Sequence, residues 1–240
     1  MSKFNILVTG ASRGIGFAIA EMLLPKSSHL LICSKHSQSI DNAEKILQKK
    51  TANAQQVFST HFDNSDAINA AKHISEWANK VVSSIDLLVL NAGYYVEGTL
   101  EDITHGDFDE NIKTNFSFNH YLIQELIPLI EKSSLKRIVV IGSTAAYESY
   151  ASVPSYSVAK WALRGYTINL RIELSSKNIG VTFLAPGATK TDMWEGVELP
   201  IDRLLLPSDI AKVVDFITTL SSQAVVDEIV IKPMLGDLHE

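Results

Sequence analysis

Seven short apolar runs punctuate the chain: residues 4–9 (FNILVT), 29–34 (HLLICS), 55–62 (QQVFSTHF), 85–91 (IDLLVLN), 136–143 (KRIVVIGS), 180–187 (GVTFLAPG) and 227–233 (DEIVIKP). Several are apolar throughout rather than at every second position, as strands buried on both faces are. Between them, apolar residues return with a helical period at about 14–25, 40–51, 65–82, 107–131, 156–177 and 207–220. The repeated strand–helix–strand order predicts an α/β fold. Its sheet is parallel, about seven-stranded and doubly wound, with helices on both faces. No low-complexity segment, repeat or linker breaks the pattern, so residues 1–240 read as one domain. Residues 191–207 (TDMWEGVELPIDRLLLP) form the one long irregular connection late in the chain, the kind of segment that serves as a lid.

Composition narrows the class. With 240 residues, 46% of them hydrophobic, the chain can bury a sizeable core. A net charge of −6 argues against a nucleic-acid or anionic-membrane partner, both of which want a basic face. No segment approaches the roughly 18 uninterrupted apolar residues of a membrane span. The N-terminus enters a strand-like run without a signal-peptide pattern, so a soluble, cytoplasmic protein is expected. The single cysteine, Cys33, excludes an internal disulfide and reads as a small buried apolar residue. The seven histidines show no metal-ligand spacing, and no metal site is expected.

Candidate chemistry begins at residues 8–16, VTGASRGIG. Gly10, Gly14 and Gly16 follow the first strand and open the first helix. Glycine permits a tight turn and a close approach of backbone N–H groups to a pyrophosphate, while the helix N-terminus adds partial positive charge. A strand-to-helix turn that merely needs glycine is the plainer reading; three glycines at the first βα junction of such a chain favour a Rossmann-type nucleotide site. An acidic residue ending the second strand would bind the ribose 2′-hydroxyl of NAD. This strand instead ends at Ser34, followed by Lys35 and His36, and Arg13 sits in the glycine turn. A 2′-phosphate would find charge-assisted donors in Lys35 and Arg13, so NADP is favoured over NAD.

YSVAK, residues 156–160, places Tyr156 and Lys160 on one helix face, a possible acid/base pair. A free phenol titrates near 10, too high for efficient exchange at neutral pH. A nearby ammonium and an oxidised nicotinamide would both lower it, so a depressed Tyr156 pKa is expected. Plainer readings remain for each residue: an amphipathic tyrosine, an exposed helix lysine, a Ser143 that caps a turn, an exposed Asn115. GSTAA at 142–146 lacks the G-x-S-x-G elbow of a hydrolase.

TGASRGIG at 9–16, NAG at 91–93, TNFSF with Asn115, IGSTAAY with Ser143, YSVAK at 156–160 and APGATKT at 185–191 stand in order, with Ser143 13 residues before Tyr156. Over nearly its full length the chain resembles the short-chain dehydrogenase/reductase family. The resemblance implies hydride transfer between NADP(H) and a carbonyl or secondary alcohol. Tyr156 would be the general acid/base, Lys160 would hold the nicotinamide ribose, Ser143 would bond the carbonyl, and Asn115 would anchor a relay water. Gly10, Ser12, Arg13, Gly14, Ile15, Gly16, Ser34 and Lys35 would bind the cofactor. Asp63, Asn91, Ala92 and Gly93 would line its adenine side and neighbouring turn, and Pro186, Gly187, Thr189 and Thr191 would bracket its nicotinamide amide and phosphates.

Tyr94, Tyr95, Tyr147, Met193 and Trp194 are substrate-pocket candidates that suggest an apolar, aromatic substrate, and Glu97, Glu148 and Glu195 would disfavour an acidic one. The C-terminal KPMLGD replaces the glycine pair usual in 3-oxoacyl carrier-protein reductases and leans away from that branch. By the same resemblance, a homodimer or homotetramer would form through helices 107–131 and 156–177. A non-catalytic redox sensor on the same fold is the alternative; it would not need Tyr156 or Lys160.

Overall fold

The uninterrupted apolar runs become the interior of a parallel sheet. In the computed structural model, residues 3–51, 55–63, 65–151, 153–192 and 203–237 are described. Residues 193–202 of the expected lid, including Met193, Trp194 and Glu195, lie outside the described residues. The strands are β1 (Phe4–Thr9), β2 (Ser27–Ser34), β3 (Gln56–His61), β4 (Leu87–Leu90), β5 (Arg137–Ile141), β6 (Gly180–Pro186) and β7 (Glu228–Ile231). The helices are α1 (Gly14–Leu23), α2 (Ser37–Gln48), α3 (Ala67–Val81), α4 (His105–Ile112), α5 (Phe118–Glu131), α6 (Pro154–Ser175) and α7 (Pro207–Ile217).

Every strand pair is parallel, in the order β3-β2-β1-β4-β5-β6-β7. The chain winds outward from β1 to β3, returns to lay β4 on the other side of β1, and winds outward again. β1 and β4 therefore flank the switch point, where a doubly wound sheet opens a crevice at its strand C-termini.

Two apolar layers explain why the strands do not alternate. Leu7, Leu88, Leu90, Ile138, Val140 and Phe183 face α3, α5 and α6. Ile6, Val8, Leu87, Val89, Val139 and Leu184 face α1, α2 and α7. Successive residues of one strand thus serve opposite layers, and both must be apolar. Cys33 is fully buried in this core, and burial pushes its thiol well up from the ordinary value.

The stretch read as one helix over 107–131 is three pieces. α4 and α5 are separated by a π-helical turn at Lys113–Ser117, with Asn115 at its centre and fully buried. Such turns are rare and mark places where the helix ladder yields to other bonds. Among the described residues, no helix is long and apolar enough to cross a membrane, and no cluster of His, Cys, Asp or Glu is arranged to hold a metal.

Candidate active site

The glycine turn is stitched to the loop after β4. The Thr9 hydroxyl accepts the N–H groups of Asn91 (2.9 Å) and Ala92 (3.0 Å). The Asn91 amide in turn donates to the carbonyls of Thr9 and Gly10, both at 3.1 Å. Asn91, expected on the adenine side, thus fastens the glycine turn itself. Gly10 and Gly14 have φ of +63° and +57°, the region that favours glycine. Gly16 has a different reason: a Cβ there would lie 2.3 Å from the Gly10 carbonyl oxygen.

α1 begins with no side-chain cap bond at Arg13 and no acidic residue in its first turn. α3 and α4, by contrast, are capped by Asp66 and Thr104. A close-approach glycine cradle with uncapped N–H groups above it fits a phosphate-bearing cofactor. Ser12 and Ile15 are half-buried in the same turn, and the Thr191 methyl sits 3.2 Å from where a Gly14 Cβ would be. Pro186 ends β6, the Gly187 N–H donates to the Ile231 carbonyl at 2.8 Å, and the Thr189 hydroxyl donates to the Gly187 carbonyl at 2.8 Å.

At the outer rim, both candidate 2′-phosphate cations have carboxylate neighbours. Arg13 pairs with Asp192 at 2.8 Å, and Lys35 lies 3.9 Å from Glu110. Ser34, buried at the end of β2, donates to the His36 carbonyl at 3.4 Å. Asp63, just past β3, accepts the Ser65 N–H at 2.8 Å. That bond, aided by Lys35 and Lys113, holds its carboxyl below the usual carboxylate range.

Deeper in, the separate motifs meet. Ser143 follows β5 and caps the turn at Thr144–Ala146, accepting the Ala145 N–H at 3.1 Å. Its side chain also reaches the Tyr156 phenol, which places Ser143 beside Tyr156 as well as at the head of the turn it caps. Lys160, one turn further along α6, is buried, with Nζ 5.3 Å from the Tyr156 ring centroid and 3.5 Å from the Ile141 carbonyl it donates to. A Cβ on Gly93 would sit 3.0 Å from Asn115 Oδ1 and 3.9 Å from Lys160 Nζ, which brings the NAG loop against both. Asn115 donates to the Tyr94 carbonyl at 2.7 Å and accepts the Tyr94 N–H at 3.3 Å.

The electrostatics correct one expectation. Burial pushes Tyr156 up to about 12, and the Ser143 hydrogen bond opposes this only in part. Burial also pushes Lys160 down to about 8, so its ammonium persists at pH 7, yet it does not offset the burial of the phenol. The chain's own groups therefore keep Tyr156 protonated at neutral pH.

The candidate pocket residues part company. Tyr95 packs edge-on against Tyr156, with centroids 5.3 Å apart and planes at 77°. Tyr94 reaches Asp107 through its hydroxyl at 3.4 Å. Tyr147 was expected in the pocket, but its hydroxyl donates to Glu228 at 2.7 Å and the Arg164 guanidinium lies 4.0 Å over its ring. Its role here is to pack α6 against β7. Glu148, expected near the substrate, pairs with Lys232.

Sequence reasoning missed Thr9, Asn111, Tyr150 and Asp237. Asn111 donates to Ser155 Oγ at 3.0 Å and accepts from Asn115 at 3.1 Å. Asn111, Asn115 and Asn119 recur every fourth residue, each bonding back one turn, and that spacing was the available signal. Asp237 had none.

A family model described as short chain dehydrogenase matches residues 5–200. Sepiapterin reductase of Chlorobaculum tepidum is 30% identical, with 99% of each chain covered. Dehydrogenase/reductase SDR family member 4 of Mus musculus is 32% identical, covering 96% of this chain and 86% of its own. Among solved structures, a short chain dehydrogenase from Burkholderia cenocepacia in complex with NADP superposes with a TM-score of 0.87 at 25% identity, covering 97% of both chains. An alcohol dehydrogenase from Thermococcus sibiricus complexed with 5-hydroxy-NADP shares the fold, with a TM-score of 0.87 over 100% of both chains at 23% identity. Family model, full-length relatives and the seven-stranded parallel sheet converge, and the chain belongs to the short-chain dehydrogenase family, as an NAD(P)-dependent dehydrogenase/reductase.

Proposed function

We propose that this chain is a cytoplasmic, NADP(H)-dependent carbonyl reductase, acting as a homo-oligomer on a small apolar or aromatic ketone or aldehyde. One observation carries the reading: the buried Lys160 stands one helical turn from Tyr156, its Nζ 5.3 Å from the Tyr156 ring centroid. The NADP complexes among its structural neighbours and the reductases among its relatives support the cofactor and the direction.

When bound, the nicotinamide supplies or accepts the hydride. The chain does the rest. Gly10 and Gly16 leave room for the pyrophosphate, and Arg13 and Lys35 favour a 2′-phosphate. Ser143 donates to the substrate oxygen as negative charge develops on it. Tyr156 gives that oxygen its proton, and Lys160 holds the ribose. Tyr156 stays protonated and can donate, but burial makes it a weaker acid than a free phenol, so its efficiency as a donor depends on the charge around it when the cofactor is bound. Asn115 keeps the Tyr94 backbone and the π-turn in place beside Lys160. Tyr95 walls the pocket with an aromatic edge, which suits a planar substrate.

The test is oxidation of NADPH and NADH with a panel of ketones, aldehydes, quinones and 3-oxo esters, with Tyr156→Phe run beside the wild type. Turnover should favour NADPH, and the variant should bind NADPH normally while losing at least ~100-fold in kcat, the contribution of a positioned acid. Near-wild-type turnover in Tyr156→Phe would sink the assignment.

A further inference from the structure

Residues 233–237 turn back toward the site. Pro233–Gly236 form a turn, closed by the Gly236 N–H donating to the Pro233 carbonyl at 2.9 Å and permitted by a Gly236 φ of +85°. The turn swings Asp237 back under the strand ends, where it is only 6% exposed. Asp237 Oδ1 accepts the Ala188 N–H at 3.0 Å, and Oδ2 accepts the Tyr150 hydroxyl at 2.9 Å. Tyr150 also bonds Thr144 Oγ1 at 3.1 Å, and Thr144 directly follows Ser143. Gly187 is shaped around the same carboxylate, since a Cβ there would lie 2.0 Å from Asp237 Oδ1.

One side chain thus joins two loops. They follow the adjacent strands β5 and β6 at the end of the sheet where the cofactor cleft opens. A buried carboxylate is a costly way to pin a tail, which an apolar side chain would do without desolvating a charge. What a carboxylate adds is two acceptors at fixed geometry, one for each loop.

We propose that Asp237 is a positioning residue of the reductase site: it clamps the Pro186–Thr189 turn to the Thr144–Tyr150 loop and so sets Ser143 against the nicotinamide side of the cleft. This rests on the reductase reading above. Asp237 touches neither reacting atom. It acts through Ala188 on one side and through Tyr150 and Thr144 on the other. The KPMLGD tail is therefore a working part of the site.

The test compares Asp237→Ala, Asp237→Asn, Tyr150→Phe and the Asp237→Ala/Tyr150→Phe double variant, in the full chain. Three readouts are needed: hydrogen exchange at the Ala188 amide without cofactor, kcat and KM for the best carbonyl, and the primary isotope effect with NADPH deuterated at the transferred position. Asp237→Ala should speed Ala188 exchange and lower kcat by at least ~10-fold, since small misplacements cost that much or more. Its isotope effect should rise as hydride transfer becomes rate-limiting. Asp237→Asn, which keeps an acceptor for Ala188, should fall between. The double variant should lose no more than Asp237→Ala, because Tyr150 acts through the same carboxylate.

A folded Asp237→Ala with wild-type kcat and isotope effect overturns the proposal, whatever its melting temperature; so does unchanged exchange at Ala188. If Asp237→Ala does not fold, wild-type kinetics in both Asp237→Asn and Tyr150→Phe overturn it. A wild type that oxidises NADPH with no carbonyl removes the reductase reading by itself. The exchange arm then still decides whether the clamp exists.

Discussion

Lys160 carries a stability cost that its place in the site explains. Burial lowers its pKa from 10.5 to about 8. Between those values the unfolded chain holds a proton that the folded chain has released, so stability rises with pH across that window. Below about 8 the full penalty applies, on the order of 3 kcal/mol for a shift of this size. Tyr156 acts in the opposite sense: raised from 10.0 to about 12, it makes the folded state lose stability as pH rises between those values. Lys160→Met should therefore raise the melting temperature of the cofactor-free protein at pH 7 and abolish turnover. The gain should shrink to about half or less by pH 9.5, below the tyrosine window. Equal or lower stability at pH 7 would mean that the ammonium is solvated or paired after all. The Tyr156–Lys160 spacing was legible in the sequence because it is local. The direction of both pKa shifts was not, because desolvation depends on what β5 and the NAG loop bring around the pair.

At the scale of elements, local pattern succeeded wherever bonding is local. Each expected strand overlaps an observed one, because two-sided burial forces an unbroken apolar run. The expected helix at 107–131 was right in extent and wrong in kind: the break at Lys113–Ser117 comes from Asn115 bonding across to Tyr94, a contact without periodicity. The glycine turn was legible as a motif, but its reasons differ by residue. Gly10 and Gly14 need positive φ, whereas Gly16 needs the absence of a Cβ. Gly16→Ala would set a methyl 2.3 Å from the Gly10 carbonyl and 2.5 Å from Asn91 Nδ2, so the turn must shift. NADPH affinity should fall at least ~100-fold, about 2.7 kcal/mol, with far-ultraviolet circular dichroism unchanged. Unchanged affinity in titrations of cofactor fluorescence would mean that the turn is not the phosphate cradle.

At the scale of the whole molecule, α6 presents two faces with different demands. One carries Tyr156 and Lys160 into the site and Leu163, Leu170 and Leu174 into the core. The other leaves Val158, Trp161, Ile168 and Ile172 at 37–72% exposure, with Gly165 in line between them. These five recur at steps of three and four, one continuous stripe. A glycine in mid-helix costs roughly 0.5–1 kcal/mol relative to alanine, and no described residue lies within 4 Å of where its Cβ would be. Both features make sense if a second copy packs its own α6 here, where a small residue lets helices approach and the flanking apolar side chains interlock. An Ile168→Glu/Ile172→Glu variant should then run as a smaller species than the wild type in light scattering coupled to size exclusion. Gly165→Leu should do the same without adding charge. Because Tyr156 and Lys160 lie on the same helix, loss of the partner should also lower turnover per chain at low protein concentration. An unchanged mass in both variants would move the interface elsewhere, with the exposed Val230 of edge strand β7 as the next apolar position to test.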